Sequence, residues 1–288
     1  MKLRANMPAA SYFALPQMSI SRLKELRRSP LHYLHAKNNP RPPSAAMELG
    51  TATHCATLEP ERFARDFLVW DRKTDTGRSA PRTGKVWEAF QASAPPHGGV
   101  LNETEYGLAC AMRDAVRSNA EAMRYLRTGL PEVVMQWQIT AVETVEAKGR
   151  ADWVTEVDGE PALVGLKTAR DCSPRVFSAA AARLGYHLQW AWYADGYAAL
   201  RGTIPSMVEI VVESAAPHAV VVYRIPDDVL EQGRAEYMAL LRLLDECVIA
   251  ERWPGPAGDA VVDFCLPAWA YERAGEDYSD NNSLDWVS

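Results

Sequence analysis

A short stretch near the middle of the chain constrains the fold more than any other part of the sequence. Residues 147–157 are rich in β-forming side chains, Asp158-Gly159 is a strong hairpin-turn signal, and residues 162–168 form a short apolar run. The pattern predicts two neighbouring strands joined by a tight turn. We expect the other secondary-structure elements to be organised around this hairpin.

An acid and a lysine on these two strands indicate a particular chemistry. Asp152 lies on the first strand and Lys167 on the second, and side-chain alternation puts Gly165 on the same face as Lys167. A carboxylate that holds Mg²⁺, beside a lysine that steadies the attacking water or the phosphate, is the layout of a metal-dependent phosphodiesterase.

Length, composition and charge limit the classes of protein to which the chain could belong. The chain has 288 residues, 48% of them hydrophobic, which is enough for one large domain or one domain with an extension. Its net charge of −6 argues mildly against a surface coated with basic residues, but leaves room for a basic groove on an acidic body. The five scattered cysteines form no CxxC motif and predict reduced thiols in a cytoplasmic protein, with neither disulfides nor zinc. We see no signal peptide or membrane-spanning run, so no membrane partner is expected.

The rest of the pattern predicts an α/β fold, with a central mixed sheet flanked by helices. The predicted elements are a helix opening at residues 18–21 with Ser19 or Ser21 as N-cap, a helix over 47–60, a helix over 103–126, a strand over 132–140, helices over 173–184 and 186–200, strands over 207–214 and 219–225, and a helix over 227–252. Residues 1–17 are expected to be flexible, 18–273 to form a single domain, and 274–288 to form a loose acidic tail.

Two basic segments are candidates for contacts with nucleic acid. Residues 22–41 carry six basic side chains and one acid, and residues 70–88 read as a mobile basic loop. Both are equally well explained as solvated surfaces. The candidate phosphate contacts are Arg22, Lys24, Arg27, Arg28, Arg72, Lys73, Arg78, Arg82 and Lys85.

Two helices carry side chains whose roles stay open at this level. His54 lies on the predicted 47–60 helix, where a lone histidine is more often a satisfied core or surface residue than a metal ligand. Tyr186 and Gln189 belong to an aromatic stripe that is mostly core, although an amide between aromatic rings needs hydrogen-bond partners.

Several motifs, weak individually, agree in order and spacing. They are Ser19-Ile20-Ser21 through Ser29-Pro30, Leu49-Gly50-Thr51-Ala52-x-His54-Cys55-x-x-Leu58-Glu59-Pro60, Arg150-Ala151-Asp152, Leu166-Lys167-Thr168, Tyr186-His187-x-Gln189, Tyr193-x-Asp195-Gly196-Tyr197, Trp253-Pro254 and Leu266-Pro267-x-Trp269-Ala270. From residue 18 to 273 the chain resembles exonuclease VIII of the RecE type, a phage and prophage branch of the PD-(D/E)xK nucleases related to the nuclease domain of RecB.

The resemblance implies a role for each matching residue. His54 and Asp152 correspond to metal ligands, with the backbone carbonyl of Leu166 as a further ligand, and Glu132 corresponds to an acid that approaches the metal. Lys167 corresponds to the catalytic lysine, and Tyr186 and Gln189 to a motif near the active site and DNA. The resemblance also implies Mg²⁺, with Mn²⁺ as a substitute, 5′ to 3′ degradation of linear double-stranded DNA from its ends, a homo-oligomeric ring and a RecT-like single-strand annealing partner in a bacterial or phage-infected cell.

Gly165 departs from the family, which has an aspartate at that position. No local neighbour is placed to replace the carboxylate: Glu160, Asp158 and Asp171 all lie on the wrong face or too far along the chain. The sequence therefore predicts an impaired nuclease, in which Gly165→Asp fits without displacing the core and raises activity. The alternative is a catalytically inactive DNA-end-binding protein on a nuclease scaffold.

Overall fold

The structure is a computed structural model that describes residues 2–5, 7–40, 42–95, 98–140, 144–258 and 260–267. The strands are β1 (Lys2–Arg4), β2 (Met18–Ser19), β3 (Phe67–Trp70), β4 (Gly99–Asn102), β5 (Leu130–Thr140), β6 (Thr144–Val157), β7 (Glu160–Ala169), β8 (Ser206–Glu213) and β9 (Val220–Ile225). The helices are α1 (Ala9–Ala14), α2 (Ile20–Leu23), α3 (Pro30–Asn38), α4 (Ala45–Leu58), α5 (Pro60–Asp66), α6 (Gly84–Ala92), α7 (Glu103–Ser118), α8 (Ala120–Leu126), α9 (Pro174–Leu184), α10 (Tyr186–Arg201) and α11 (Asp227–Ile249), with a 3₁₀ turn at Lys24–Arg27.

A mixed sheet forms the centre of the molecule. Its strand order is β1-β5-β6-β7-β8-β9, and β2 pairs with β6 in parallel. The β6–β7 hairpin turns at Asp158 and Gly159, which have φ values of 54° and 84°, as a tight hairpin turn of the predicted kind requires. The chain then crosses through α9 and α10 to β8, which pairs with β7 in parallel. The predicted α/β fold class is confirmed.

Helices cover both faces of this sheet. On one face α10 and α11 bury Trp192 and Leu241 against strand residues such as Trp137. On the other face α7 packs Met112 against a cluster that includes Ile210 of β8. Because both faces are covered, the inner parts of β7 and β8 are mostly apolar and buried, and a charged side chain within them has little access to water.

The structure differs from the prediction at the 103–126 helix, in the 70–88 segment and in the amino-terminal segment. The helix expected over 103–126 is two helices, because the Asn119 side chain accepts a hydrogen bond from the Ala122 amide at 2.9 Å and starts a new helix there. The 70–88 segment is not all loop, since α6 begins at Gly84.

The amino-terminal segment, expected to be flexible, contains β1 and α1. The Lys148 ammonium of β6 donates to the carbonyls of Tyr12 at 2.9 Å and Leu15 at 2.7 Å and so ties this segment to the sheet. The expected acidic tail, 274–288, lies outside the described residues. Within the described ranges, no helix is long and apolar enough to cross a membrane.

We predict that Gly233→Ala strongly destabilises the fold, because α10 and α11 touch at this glycine. A Cβ at Gly233 would lie 2.1 Å from the backbone oxygen of His187, which cannot move without shifting α10. Overpacking of this kind should lower the free energy of unfolding by about 3 kcal/mol. The control is Gly107→Ala on α7, where a Cβ meets nothing within 4 Å and helix propensity should add about 0.5–1 kcal/mol. Denaturant unfolding of both variants tests this, and a Gly233→Ala protein as stable as wild type would contradict the close approach.

Candidate active site

The candidate site forms where β6 and β7 separate. Their antiparallel pairing runs up to Trp153↔Val164. At the next position along β6, the Asp152 carboxylate takes the place of a backbone acceptor, and its Oδ2 accepts a hydrogen bond from the Leu166 amide at 3.0 Å. The carboxylate is therefore held in the opening between the two strands.

His54 reaches the same opening from α4. Gly50 of this helix faces β7, and a Cβ there would make an ordinary van der Waals contact with the Thr168 hydroxyl oxygen at 3.6 Å. His54 Nε2 contacts the Leu166 carbonyl oxygen and lies 3.8 Å from Asp152 Oδ2. Burial lowers the pKa of His54 despite the nearby Asp152, so the ring is neutral at pH 7, and neutral imidazole is the form that binds metal ions.

These three groups fit one divalent cation. A carboxylate oxygen, a backbone carbonyl oxygen and an imidazole nitrogen converge, and oxygen-rich sets suit Mg²⁺ and Mn²⁺. In the described part of the chain, no three His, Cys, Asp or Glu side chains form a cluster that could hold a metal ion. The donor set thus depends on the Leu166 carbonyl and contains only one of the carboxylates that Mg²⁺ prefers.

Lys167 lies beside this donor set as a fixed cation. Its Nζ is 3.5 Å from Asp152 Oδ2 and 3.3 Å from Glu209 Oε1. Burial favours the neutral amine, but the carboxylates of Glu209 and Asp152 outweigh it and raise the pKa of Lys167 above its usual value. In turn Lys167 and His54 outweigh the burial of Asp152 and lower the pKa of that carboxyl group. At neutral pH the lysine is therefore a donor of hydrogen bonds, and it has no lone pair to act as a base.

Glu132 borders the site on β5. The pairs on either side, Pro131↔Trp153 and Val133↔Ala151, place it across from Asp152, and its φ of 53° interrupts the strand there. Its Oε2 pairs with Arg150 Nε at 2.7 Å. Burial, reinforced by Asp152, outweighs Arg150 and raises the pKa of Glu132 to about 7. Glu132 is thus close enough to influence the site electrostatically, although Arg150 holds its carboxylate.

The α10 residues singled out in the sequence also reach the site. The Lys167 ammonium lies 5.7 Å from the centre of the Tyr186 ring. Gln189 and Tyr193 line the cavity that contains Asp152 and Lys167. Gln189 and Tyr186 therefore lie on the side of the site that holds the lysine.

The basic residues divide into two groups with different contacts. Lys24 donates to the Leu184 carbonyl at 3.1 Å, and Arg27 donates to the Arg183 and Ala182 carbonyls at 3.1 and 3.2 Å. These two side chains therefore cap the carboxyl end of α9. Arg28 is exposed and Arg22 half-buried.

In the second basic segment, several side chains make contacts within the protein. Lys73 pairs with Glu103, and Arg82 pairs with Glu105 of α7. Arg72, Arg78 and Lys85 are exposed, with Arg72 lying 5.6 Å from the Trp70 ring centre. This segment belongs to the connection between β3 and β4 of the small parallel sheet, and not to the strands that carry Asp152 and Lys167.

The sequence did not single out Glu209 of β8, and its position corrects the expectation for Gly165. Glu209 is 1% exposed and pairs in register with Gly165. A Cβ at position 165 would lie 2.4 Å from Glu209 Oε1 and 2.7 Å from its Cδ. The expectation that an aspartate fits there freely is wrong, because the Glu209 carboxylate already fills the space. An acid inside the apolar run of residues 207–212 was the one signal that could have pointed to it.

A family comparison assigns the fold. The model of a family described as a PDDEXK-like domain of unknown function matches residues 19–265. The chain belongs to this PDDEXK-like family. The match spans the Asp152–Lys167 hairpin, the α4 histidine and the α10 motif, so the PD-(D/E)xK assignment is confirmed at the level of the superfamily.

One solved structure shares the fold of the chain. The chain is similar to the crystal structure of a "putative exonuclease" from Eubacterium rectale, with a TM-score of 0.59 and 12% identity over 94% of this chain and 98% of that one. At this identity the likeness shows a shared fold. A protein from Vibrio cholerae aligns at 13% identity over 86% of this chain and 59% of its own, and its TM-score of 0.21 is too low to indicate a shared fold. No curated protein matches the sequence.

Proposed function

We propose that this PDDEXK-like protein is a metal-dependent nuclease that degrades linear double-stranded DNA from its ends. The observation that carries the proposal is the convergence of His54 Nε2, Asp152 Oδ2 and the Leu166 carbonyl, with the Lys167 ammonium 3.5 Å from the carboxylate. The description of the Eubacterium rectale protein as a "putative exonuclease" supports the same class of reaction.

In this proposal His54, Asp152 and the Leu166 carbonyl hold Mg²⁺, with Mn²⁺ as a substitute, and Glu132 approaches from β5. A bound divalent cation supplies Lewis acidity that polarises the phosphodiester and offsets its growing negative charge. The chain's own groups orient the reactants and supply a fixed positive charge.

Lys167 has the central part among those groups. Because its pKa is raised, its ammonium stays protonated and can donate to the attacking water or to a non-bridging phosphate oxygen. Gln189 and Tyr186 lie near it on α10 and would orient the scissile phosphate. Water forms the new bond to phosphorus and loses a proton to solvent, the bond to the departing sugar oxygen breaks, and that oxygen takes up a proton from solvent.

Three further features of the proposal rest on the resemblance to exonuclease VIII of the RecE type. They are 5′ to 3′ polarity, assembly into a homo-oligomeric ring, and handover of single strands to a RecT-like annealing partner. A ring would present its basic side chains toward the duplex, which would reconcile DNA binding with a net charge of −6.

A second candidate function is end binding without cleavage. The observation that favours it is Gly165, which leaves β7 without a carboxylate two residues before Lys167. On this alternative the protein binds duplex ends but leaves them intact in any divalent metal.

The proposal is tested by incubating the protein with 5′-phosphorylated linear duplex and with covalently closed circular duplex of the same sequence. We expect Mg²⁺ to drive degradation of the linear form alone, with EDTA stopping it. A closed circle cut at the same rate would contradict action from ends. An intact linear duplex that is nevertheless shifted on a gel would support the end-binding alternative over cleavage.

The different contacts of Arg27 and Arg28 lead to a prediction about DNA binding. Arg28→Ala should weaken binding to any sequence and reduce the slope of log affinity against log salt by about 0.9, as for one lost phosphate contact. Arg27→Ala should instead lower the free energy of unfolding by about 1 kcal/mol, because it removes hydrogen bonds to the end of α9.

Salt-dependent binding assays and denaturant unfolding separate the two effects. Arg127→Ala, an exposed arginine outside the basic segments, serves as the charge-matched control. An Arg28→Ala protein with the wild-type salt slope would remove this arginine from the interface.

A further inference from the structure

The proposed nuclease site lacks a carboxylate on β7, where Gly165 stands two residues before Lys167. Residues two apart on a strand share a face, so a carboxylate at 165 would lie beside the lysine and near Asp152. Since Mg²⁺ prefers several oxygen ligands, one carboxylate and one carbonyl form a poor set. The missing acid is therefore a real deficit, unless another strand supplies it.

The neighbouring strand carries an acid at the matching position. In the parallel pairing of β7 with β8, Gly165 lies opposite Glu209, and on either side Val164↔Val208 and Leu166↔Ile210 keep the same register. Residues opposed in this way point to the same face of the sheet. Glu209 therefore faces the site from one strand further along the sheet.

The two residues fit each other sterically. With Gly165 in place, the Glu209 carboxylate occupies the volume that a side chain at 165 would fill, since a Cβ there would lie within 2.7 Å of Oε1, Oε2 and Cδ of Glu209. Any larger residue at 165 would displace Glu209, and without Glu209 the glycine would leave a hole next to Lys167. A glycine otherwise weakens a central strand, so its presence here has a specific use.

The contacts of Glu209 place its carboxylate beside Lys167 in the candidate site. Its Oε2 accepts a hydrogen bond from Trp190 Nε1 at 2.5 Å. Its Oε1 lies 3.3 Å from Lys167 Nζ but is buried without a well-formed hydrogen bond among the described residues. Glu209 lines the same small cavity as Asp152, Lys167 and Gln189. A carboxylate that is 1% exposed in an apolar strand, with one oxygen incompletely satisfied, is costly to keep.

We infer that Glu209 supplies, from β8, the carboxylate that β7 lacks at Gly165, and that it serves the same divalent-metal site as Asp152. This inference rests on the proposed function for the identity of the site. It replaces the expectation of an impaired enzyme with that of a site whose second acid has moved by one strand. The alternative role for Glu209 is structural: neutralising Lys167 without contributing to metal binding.

Metal affinity separates the two roles. Mn²⁺ binding is measured by electron paramagnetic resonance titration, without DNA, for the wild type and Glu209→Gln. We expect Glu209→Gln to weaken Mn²⁺ binding by at least about 10-fold, because the carboxylate is lost while its shape is kept. Asp152→Asn is the positive control for ligand loss. Glu213→Gln is the matched control on the same strand, since Glu213 hydrogen bonds to the Cys172 amide away from the site.

A relocation experiment makes the test sharper. Gly165→Asp alone should not improve Mn²⁺ binding and should lower thermal stability, because two carboxylates then compete for one space. Glu209→Ala alone should lose affinity as Glu209→Gln does. The double variant Gly165→Asp/Glu209→Ala should recover Mn²⁺ affinity to within about threefold of wild type, because it returns the acid to β7.

The outcomes also distinguish this inference from the proposed nuclease function. Wild-type Mn²⁺ affinity in Glu209→Gln would overturn the inference, even if every variant digests DNA and the nuclease proposal stands. A loss in Glu209→Gln with recovery in the double variant would support it, even if no variant digests DNA and the nuclease proposal fails. A loss in Glu209→Gln without recovery in the double variant would overturn the claim that one carboxylate replaces the other.

Discussion

Replacing Asp152 with asparagine is expected to reduce Mg²⁺-dependent degradation of linear duplex DNA by more than about 100-fold, beyond the effect of losing an indirect contact. The Asp152 carboxylate is the group on which the site converges: its Oδ2 lies 3.0 Å from the Leu166 amide, 3.5 Å from Lys167 Nζ and 3.8 Å from His54 Nε2. Asparagine can still accept from the Leu166 amide, so the local backbone should survive. The negative charge that a metal requires is lost.

Digestion time courses with a Mg²⁺ series measure this effect, and Asp171→Asn is the control. Asp171 caps the turn before α9 through the Ser173 amide at 2.7 Å and lies beyond the end of β7. We expect the control to digest DNA at the wild-type rate. An Asp152→Asn protein that keeps more than a tenth of the wild-type rate would show that the metal ligands lie elsewhere.

Lys167→Met is expected to remove activity and stability together. Catalysis should fall by about 10²–10³-fold, as when one fixed donor to a developing negative charge is removed. The free energy of unfolding should fall by about 3 kcal/mol, because Asp152 and Glu209 are left as buried acids without their shared cation. Mn²⁺ affinity should not fall, since the lysine competes with the metal for the same carboxylates.

The double variant Lys167→Met/Glu209→Gln separates the two losses. It removes one of the stranded carboxylates, so denaturant unfolding should show stability returning toward that of Glu209→Gln alone. Digestion should stay as low as in Lys167→Met. Lys2→Met, an exposed lysine outside the two basic segments, should leave both quantities unchanged. Full activity in the Lys167→Met protein would contradict the role given to the lysine.

Local patterns in the sequence were enough to predict the hairpin that carries the site. Strand alternation and the Asp158-Gly159 turn are properties of consecutive residues, and the structure places Asp152 and Lys167 together as that pattern implies. The spacing on α4 identified His54 as a candidate only with the help of the family resemblance. Its approach to Asp152 depends on how α4 packs against β7.

Contacts between distant segments could not be read in the same way. Glu209 meets Gly165 only because α9 and α10 carry the chain across to a parallel strand, and no local signal fixes which residues of β7 and β8 lie opposite each other. The basic segment shows the same limit. Its charge was evident, but the use of Lys24 and Arg27 to cap α9, some 160 residues away, depends on tertiary packing.

The most direct test of this account is to locate the metal by anomalous diffraction from crystals of the protein grown with Mn²⁺. We predict a single strong peak bounded by His54 Nε2, Asp152 and the Leu166 carbonyl oxygen, at about 2.0–2.4 Å from each donor. The Glu209 carboxylate should be turned toward the metal or toward a water bound to it. A peak elsewhere, or no peak between α4 and the β6–β7 opening at a saturating Mn²⁺ concentration, would contradict the account.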